Sequence, residues 1–311
     1  MSAADLKQNS HGALALFALN LLIWGYNWVP MRLLLQDGGP LTCAAIRIAG
    51  GALSLFAALL FMGKPLAPPL DRSFIWSGLT QVAASSALSS FALIYGGVSK
   101  SAILVFTMPF WVMIISRLFF HEKFSVAHWV SLAIALGGIA LIASKAIDNS
   151  TKIVGALSAI GAGLAWAIGA MIVRRSKRQD TLRSVAWEQL VGAMPLVLFA
   201  FLMNEGFPAM TPQFVLSAFY STAIGTGFGW ILWNRSAILV SPGTLALGSL
   251  TIPIIASLSA FLQLGERPDA VTLTGLGTVF LALLVASLGG MKLKQSIAIL
   301  FRMGKRSAMR N

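Results

Sequence analysis

A chain of 311 residues in which 57% are hydrophobic and only 11% charged lies far from soluble domains, about a quarter of whose residues are charged. The formal charge of +13 and mean hydropathy of +0.80 point to a bilayer and its anionic surface. Nucleic acid is the weaker partner, because no aromatic-rich soluble module accompanies the basic residues.

Ten apolar runs approach the ~20 residues that carry a helix across a bilayer. They are predicted near 12–35, 41–63, 74–94, 101–120, 126–144, 153–174, 184–203, 214–234, 243–262 and 271–290. The first is read as a retained span, since Trp24, Asn27 and Trp28 interrupt it and no small-x-small cleavage site closes it. The second carries Arg47 within the apolar run. In the third, "QVAASSALSSF" supplies Gln81, Ser85, Ser86, Ser89 and Ser90, with 85/89 and 86/90 at i,i+4 spacing. Such a stripe either offers hydroxyls to a polar solute or permits close helix packing. Gln81 favours the wet wall, because an amide in lipid is costly without a partner.

The fourth run, "TMPFWVMIISRLFFHE" from Thr107, returns as "TIPIIASLSAFLQLGE" from Thr251, 144 positions later with the same threonine, proline and glutamate spacing. Pro109 and Pro253 are predicted to kink their helices by freeing the carbonyls of Val105 and Ser249. They are candidate hinges. Glu122 and Glu266 close these runs and are expected to cap the helix that follows.

Other segments repeat as well. "LIWGYNWVPMR" aligns with "LAWAIGAMIVRR", bringing Trp24 onto Trp166, and "AIRIAGG" aligns with "WEQLVGA", matching Gly50 with Gly192 and Arg47 with Gln189, both at an offset of 142. Five helices written twice put the second copy in the membrane upside down, because five is odd. The predicted fold is therefore an all-α membrane protein of ten transmembrane helices in two inverted five-helix repeats, with a site near the midplane between them. The expected division is an N-terminal segment 1–11, repeats over 12–145 and 152–290, and a basic tail 291–311.

Charge sets the expected orientation. Both termini share one side with Lys64, Arg72, Arg117, the Arg174–Arg183 cluster and the tail, seventeen basic residues in all, against five on the other side. By the positive-inside bias both termini are expected to be cytoplasmic, in a bacterial-type inner membrane. The tail is expected to lie on anionic lipid.

"WGYNWVPMR", "AIRIAGGAL" and "MPFWVMIISRLFFHEKFSVAHWVSLAIALGGIALI" resemble the EamA-type repeat of the drug/metabolite transporter superfamily. "IPIIASLSAFLQLGERPDAVTLTGLGTVFLALLVA" is similar but drifts, with Leu281 and Ala282 in place of Gly137 and Gly138. The resemblance covers about residues 12 to 290. It implies a ten-helix exporter of small metabolites, with YddG-like amino-acid exporters the nearest flavour. It also implies a functional monomer, since two fused copies form the pseudo-dimer that shorter relatives assemble from separate chains.

Candidate substrate-binding residues are the midspan tryptophans Trp24, Trp111 and Trp166, the polar anchors Asn27, Tyr95, Tyr220 and Thr226, and Gln81, Ser85 and Ser89 of the stripe. Trp76, Trp129 and Trp187 suit the interfacial belt. Glu188, the acidic residue lying clearly within a run, is the candidate for proton coupling, or else a partner of Arg183 near the rim. The single cysteine, Cys43, allows no internal disulfide, and the three histidines lack ligand spacing. With no phosphate loop either, no cofactor or metal is expected. An integral-membrane enzyme would need convergent catalytic groups that the spans do not offer. A channel-like or scaffold subunit working with a partner remains open beside the exporter.

Overall fold

A computed structural model describes residues 3–121, 124–144, 150–176, 180–239, 248–249, 251–282 and 284–285. Glu122 and the tail from residue 291 lie outside the described residues. Within them the chain is helical, with six long apolar spans and four shorter apolar helices. Span 1 comprises Ala3–Tyr26 and Trp28–Asp37, and span 2 is Pro40–Phe61. Spans 3 and 4 run through Ser73–Ser77, Gly78–Ala84, Ser85–Val105 and Met108–Phe120. Spans 5, 6 and 7 are Val126–Ser144, Ser150–Arg175 and Thr181–Leu202. Span 8 comprises Pro212–Phe219, Tyr220–Phe228 and Gly229–Leu239. Span 9 contains Thr251–Leu264 and span 10 contains Ala270–Ala282. Outward-facing Leu53, Leu202 and Leu262, each more than half exposed, give the bundle the apolar exterior that lipid requires.

Two features of the sequence repeat take physical form. Spans 3 and 8 each contain a π-helical stretch, Gly78–Ala84 and Tyr220–Phe228, at matching places in the two copies. Span 2 packs on the second of these and span 7 on the first. The matched glycines explain the closeness. A Cβ on Gly50 would meet Thr222 at 2.5 Å, and one on Gly192 would meet Val82 at 2.5 Å and the Gly78 carbonyl at 2.9 Å. Span 1 likewise lies along spans 8 and 9, while span 6 lies along spans 3 and 4, so the halves interlock by swapped, equivalent contacts.

The threonine–proline signature is resolved differently from the predicted kink. Pro109 does not interrupt a continuous helix. The chain breaks at Phe106–Thr107, and Pro109 occupies the first turn of Met108–Phe120, where its missing N–H costs nothing. Pro253 stands in the first turn of Thr251–Leu264. The threonines supply the stop. Thr107 Oγ1 donates to the Leu104 carbonyl at 2.6 Å and Thr251 Oγ1 to the Gly248 carbonyl at 2.7 Å, the same i−3 bond in both copies. The Val105 carbonyl faces span 6 where Gly163 leaves room, 2.8 Å from an added Cβ.

Spans 3 and 4 meet without a loop. The backbone turns at Gly97, whose φ of 73° lies in the region open to glycine. Glu266 holds this turn from the other repeat. Its Oε2 and Oε1 accept the Val98 N–H at 2.9 and 3.2 Å. It thus caps span 4 and not the helix following itself. That next helix is capped by Asp269, whose Oδ1 accepts the Thr272 N–H and hydroxyl at 2.7 and 2.6 Å.

Candidate functional site

The Trp24 ring forms the hub of an aromatic layer between the repeats. It stacks on Trp233 at 5.1 Å and meets Trp230 and Trp166 edge-on at 5.5 and 6.5 Å. Phe106 tilts against Trp166 at 6.3 Å. The Trp24 indole N–H donates to the Gly225 carbonyl at 3.0 Å, which gives a midspan indole the acceptor it needs. Gly229 makes this approach possible, since a Cβ there would stand 2.4 Å from Trp24 Nε1.

Trp24, Gln81, Phe106, Trp166 and Trp230 are shared by two cavities, one on each side of this layer. The first, of about 100 Å³, also meets Asn27, Arg47, Ser85, Ser86, Ser89, Gln189 and Thr226. The second, of about 240 Å³, meets Pro109, Glu188 and Pro253 and reaches Val173 and Thr181 toward the basic end of the bundle. Adjacent residues thus serve different chambers: Gln189 faces the Arg47 side and Glu188 the other.

Seven of the ten candidate residues for substrate binding therefore line the Arg47 chamber: Trp24, Asn27, Gln81, Ser85, Ser89, Trp166 and Thr226. Three do not. Tyr95 is partly exposed beside Gly155 of span 6. Tyr220 turns its hydroxyl to the Ile23 carbonyl at 3.2 Å and its ring onto Tyr26. Trp111 lines neither chamber, and its buried indole N–H has no partner among the described residues. Within the chamber, Thr226 has its hydroxyl engaged with the Ser221 carbonyl at 2.8 Å, so it presents little more than its methyl group. Glu188 is 2% exposed and does not extend to the rim. Trp76 and Trp129 are exposed, and the Trp187 indole donates to the Leu66 carbonyl at 2.9 Å.

The candidate list lacked Arg47, Ser86, Gln189 and Trp230. Arg47 donates to Ser86 Oγ at 2.9 Å. The repeat alignment had already made Arg47 and Gln189 mates, and mates near a pseudo-twofold axis face a shared cavity. That signal was sufficient to find both. No group of three or more His, Cys, Asp or Glu able to hold a metal occurs among the described residues.

An inverted-repeat bundle with a midplane cavity flanked by broken helices defines the architecture of a secondary membrane transporter. The chain belongs to the EamA-like transporter family, whose profile matches residues 11–144 and 153–288. It is 28% identical over 253 residues to "Uncharacterized transporter YoaV" of Bacillus subtilis, covering 79% of this chain and 86% of that one. It is 26% identical over 290 residues to a "Probable amino-acid metabolite efflux pump" of Salmonella typhimurium, covering 89% and 93%. It is 27% identical over 285 residues to "Uncharacterized inner membrane transporter YedA" of Escherichia coli K12, covering 88% and 90%. A solved structure described as "Crystal structure of protein" shares the fold, with a TM-score of 0.66 over 91% of this chain and 99% of that chain at 18% identity.

Proposed function

We propose that this multi-pass membrane transporter exports small amphipathic metabolites, neutral and aromatic amino acids foremost, by alternating access. The observation that carries the reading is the pair of chambers divided by the Trp24–Trp166–Trp230 layer at the repeat interface. A solute held there has flat apolar surfaces beside amides and hydroxyls. Pro109 and Pro253, at matched helix starts bordering the second chamber, are the proposed hinges. The amino-acid preference draws support from the names of relatives, at modest identity. The proposal includes a functional monomer in lipid, not an enzyme, with both termini cytoplasmic in an inner membrane. Export runs down the solute gradient, and Glu188 is the group through which a proton would couple.

Reconstitution in liposomes with labelled phenylalanine tests this. Saturable uptake inhibited by unlabelled phenylalanine is expected; non-saturating flux would indicate a channel, and no flux for any amino acid would refute the exporter. Trp24→Ala and Trp166→Ala should each lower uptake more than tenfold, whereas Trp129→Ala, at the exposed rim, should leave it within twofold, on the order of one lost aromatic contact. The reverse ranking would remove the aromatic layer from the transport path.

A further inference from the structure

We infer that Arg47 is the carboxylate-binding pole of the first chamber, and that Asn27, Gln81 and Gln189 form an acceptor pole opposite it for a substrate ammonium. The inference rests on the exporter reading and specifies its substrate class: molecules with one carboxylate, α-amino acids in their zwitterionic form above all.

The charge of Arg47 is unbalanced within the chamber. A guanidinium has five N–H donors and no acceptor, and it keeps its charge at any working pH. Arg47 stands within span 2, where an ionised side chain is costly unless paired or solvated. Its hydrogen bond within the fold goes to the neutral Ser86 hydroxyl. Ion pairs such as Lys64 with Asp180 and Lys100 with Asp269 lie elsewhere. The chamber therefore presents a cation to whatever enters it. A planar fork of this kind matches a carboxylate bidentately, which a compact ammonium does not.

The second observation is independent of charge. Asn27 Oδ1, Gln81 Oε1 and Gln189 Oε1 are buried and lack hydrogen-bond partners, and all three residues line the same chamber as Arg47. Buried amide acceptors are normally satisfied. Three orphaned around one cavity are matched by a ligand that brings donors, and an ammonium brings three. With one fixed charge and dipoles opposite, the chamber neutralises a monocarboxylate. It repels a simple amine and leaves a dicarboxylate in excess.

Duplication makes the asymmetry visible. Arg47 and Gln189 are repeat mates that reach the same chamber, so one ancestral position now supplies a charge from one copy and an amide from the other.

The test uses the full chain purified in detergent, with binding followed by tryptophan fluorescence and calorimetry. The probes are phenylalanine, phenylalaninamide, phenethylamine and 3-phenylpropionate, and uptake is measured in parallel in liposomes. Phenylalanine should bind at least tenfold more tightly than phenylalaninamide or phenethylamine, on the order of a lost charge-assisted hydrogen bond. R47Q should abolish that preference, R47K should retain part of it, and Gln81→Leu should weaken phenylalanine but not 3-phenylpropionate. An Arg47 that only supports the fold would lower thermal stability without changing the ranking of ligands. If phenylalanine and its amide bind equally and R47Q affects both alike, the inference fails while the exporter stands. If carboxylates bind through Arg47 but nothing is transported, the exporter fails while the site stands. If no probe binds, the inference is overturned.

Discussion

Gly169 and Gly225 each permit a side chain of the other helix to reach the cavity, but they do so by different margins. A Cβ on Gly169 of span 6 would stand 2.3 Å from Gln81 Cβ and 2.9 Å from Gln81 N. Both are positions fixed by the backbone, so Gly169→Ala must push span 6 away from the π-helical stretch of span 3 by roughly 1 Å to reach ordinary contact. Overpacking of that kind costs about 1–3 kcal/mol. Replacing glycine by alanine within a helix returns only about 0.5–1 kcal/mol. A Cβ on Gly225 would instead meet Asn27 Oδ1 at 2.5 Å and Cγ at 2.7 Å, the far end of a side chain that swings about χ1 and χ2. Gly277, with nothing within 4 Å of an added Cβ, is the control. Thermal unfolding of the purified variants, followed by tryptophan fluorescence, should rank Gly277→Ala at or above the parent. Gly225→Ala should come next, and Gly169→Ala should fall lowest by several degrees. Gly225→Ala should lose transport out of proportion to stability, because it displaces Asn27 in the chamber. Equal midpoints for Gly169→Ala and Gly277→Ala would refute the close contact of spans 3 and 6.

Glu266→Ala leaves the buried Val98 N–H without its acceptor at the Gly97 turn. It should destabilise by about 1–3 kcal/mol, with Glu266→Gln milder because one acceptor oxygen remains; denaturation in detergent measures both. Asp269, in the turn before span 10, has its carboxyl held below the usual range by the Thr272 hydroxyl and N–H and by Lys100. A depressed pKa contributes stability that is fully present above the ordinary carboxylate value and is lost as pH falls through the lower folded value. Asp269→Asn should therefore flatten the acid limb of the stability profile below about pH 4 by slightly lowering stability at neutral pH, where the carboxylate contributes, while parent and variant converge in acid; the drop is small because the group is exposed.

The ten spans, the inverted duplication and the pairing of Gly50 with Gly192 were legible because bilayer thickness, parity and close packing each impose a direct demand on composition. The meeting of the mates Trp24 and Trp166 at the interface of the copies was also legible. Rotation about each helix axis was not. In a soluble helix a polar stripe marks the outward face, whereas here lipid-facing and helix-facing sides are both apolar. Tyr95, Tyr220 and Trp111 accordingly line neither chamber. Arg47 was assigned a depth without its direction. The π-helical stretches left no signal in the apolar pattern; they lie where Gly50 of span 2 and Gly192 of span 7 allow a close approach.

Symmetry is kept where packing demands it and lost where a ligand would sit, and one physical cause accounts for both. Each copy makes the same helix contacts, so a glycine at a close approach, a threonine closing a helix break and a π-helical stretch are required twice. The cavity lies between the repeats, where the mates Trp24 and Trp166, and Arg47 and Gln189, share one lining. An arginine at both position 47 and position 189 would bring two like charges into one chamber of about 100 Å³. At ~8 Å and an effective dielectric of ~20 that repulsion is about 2 kcal/mol, and no carboxylate is among the residues lining that chamber. A small molecule with a distinct head and tail also has no twofold axis of its own. The pair has therefore diverged, one mate keeping charge and the other an amide.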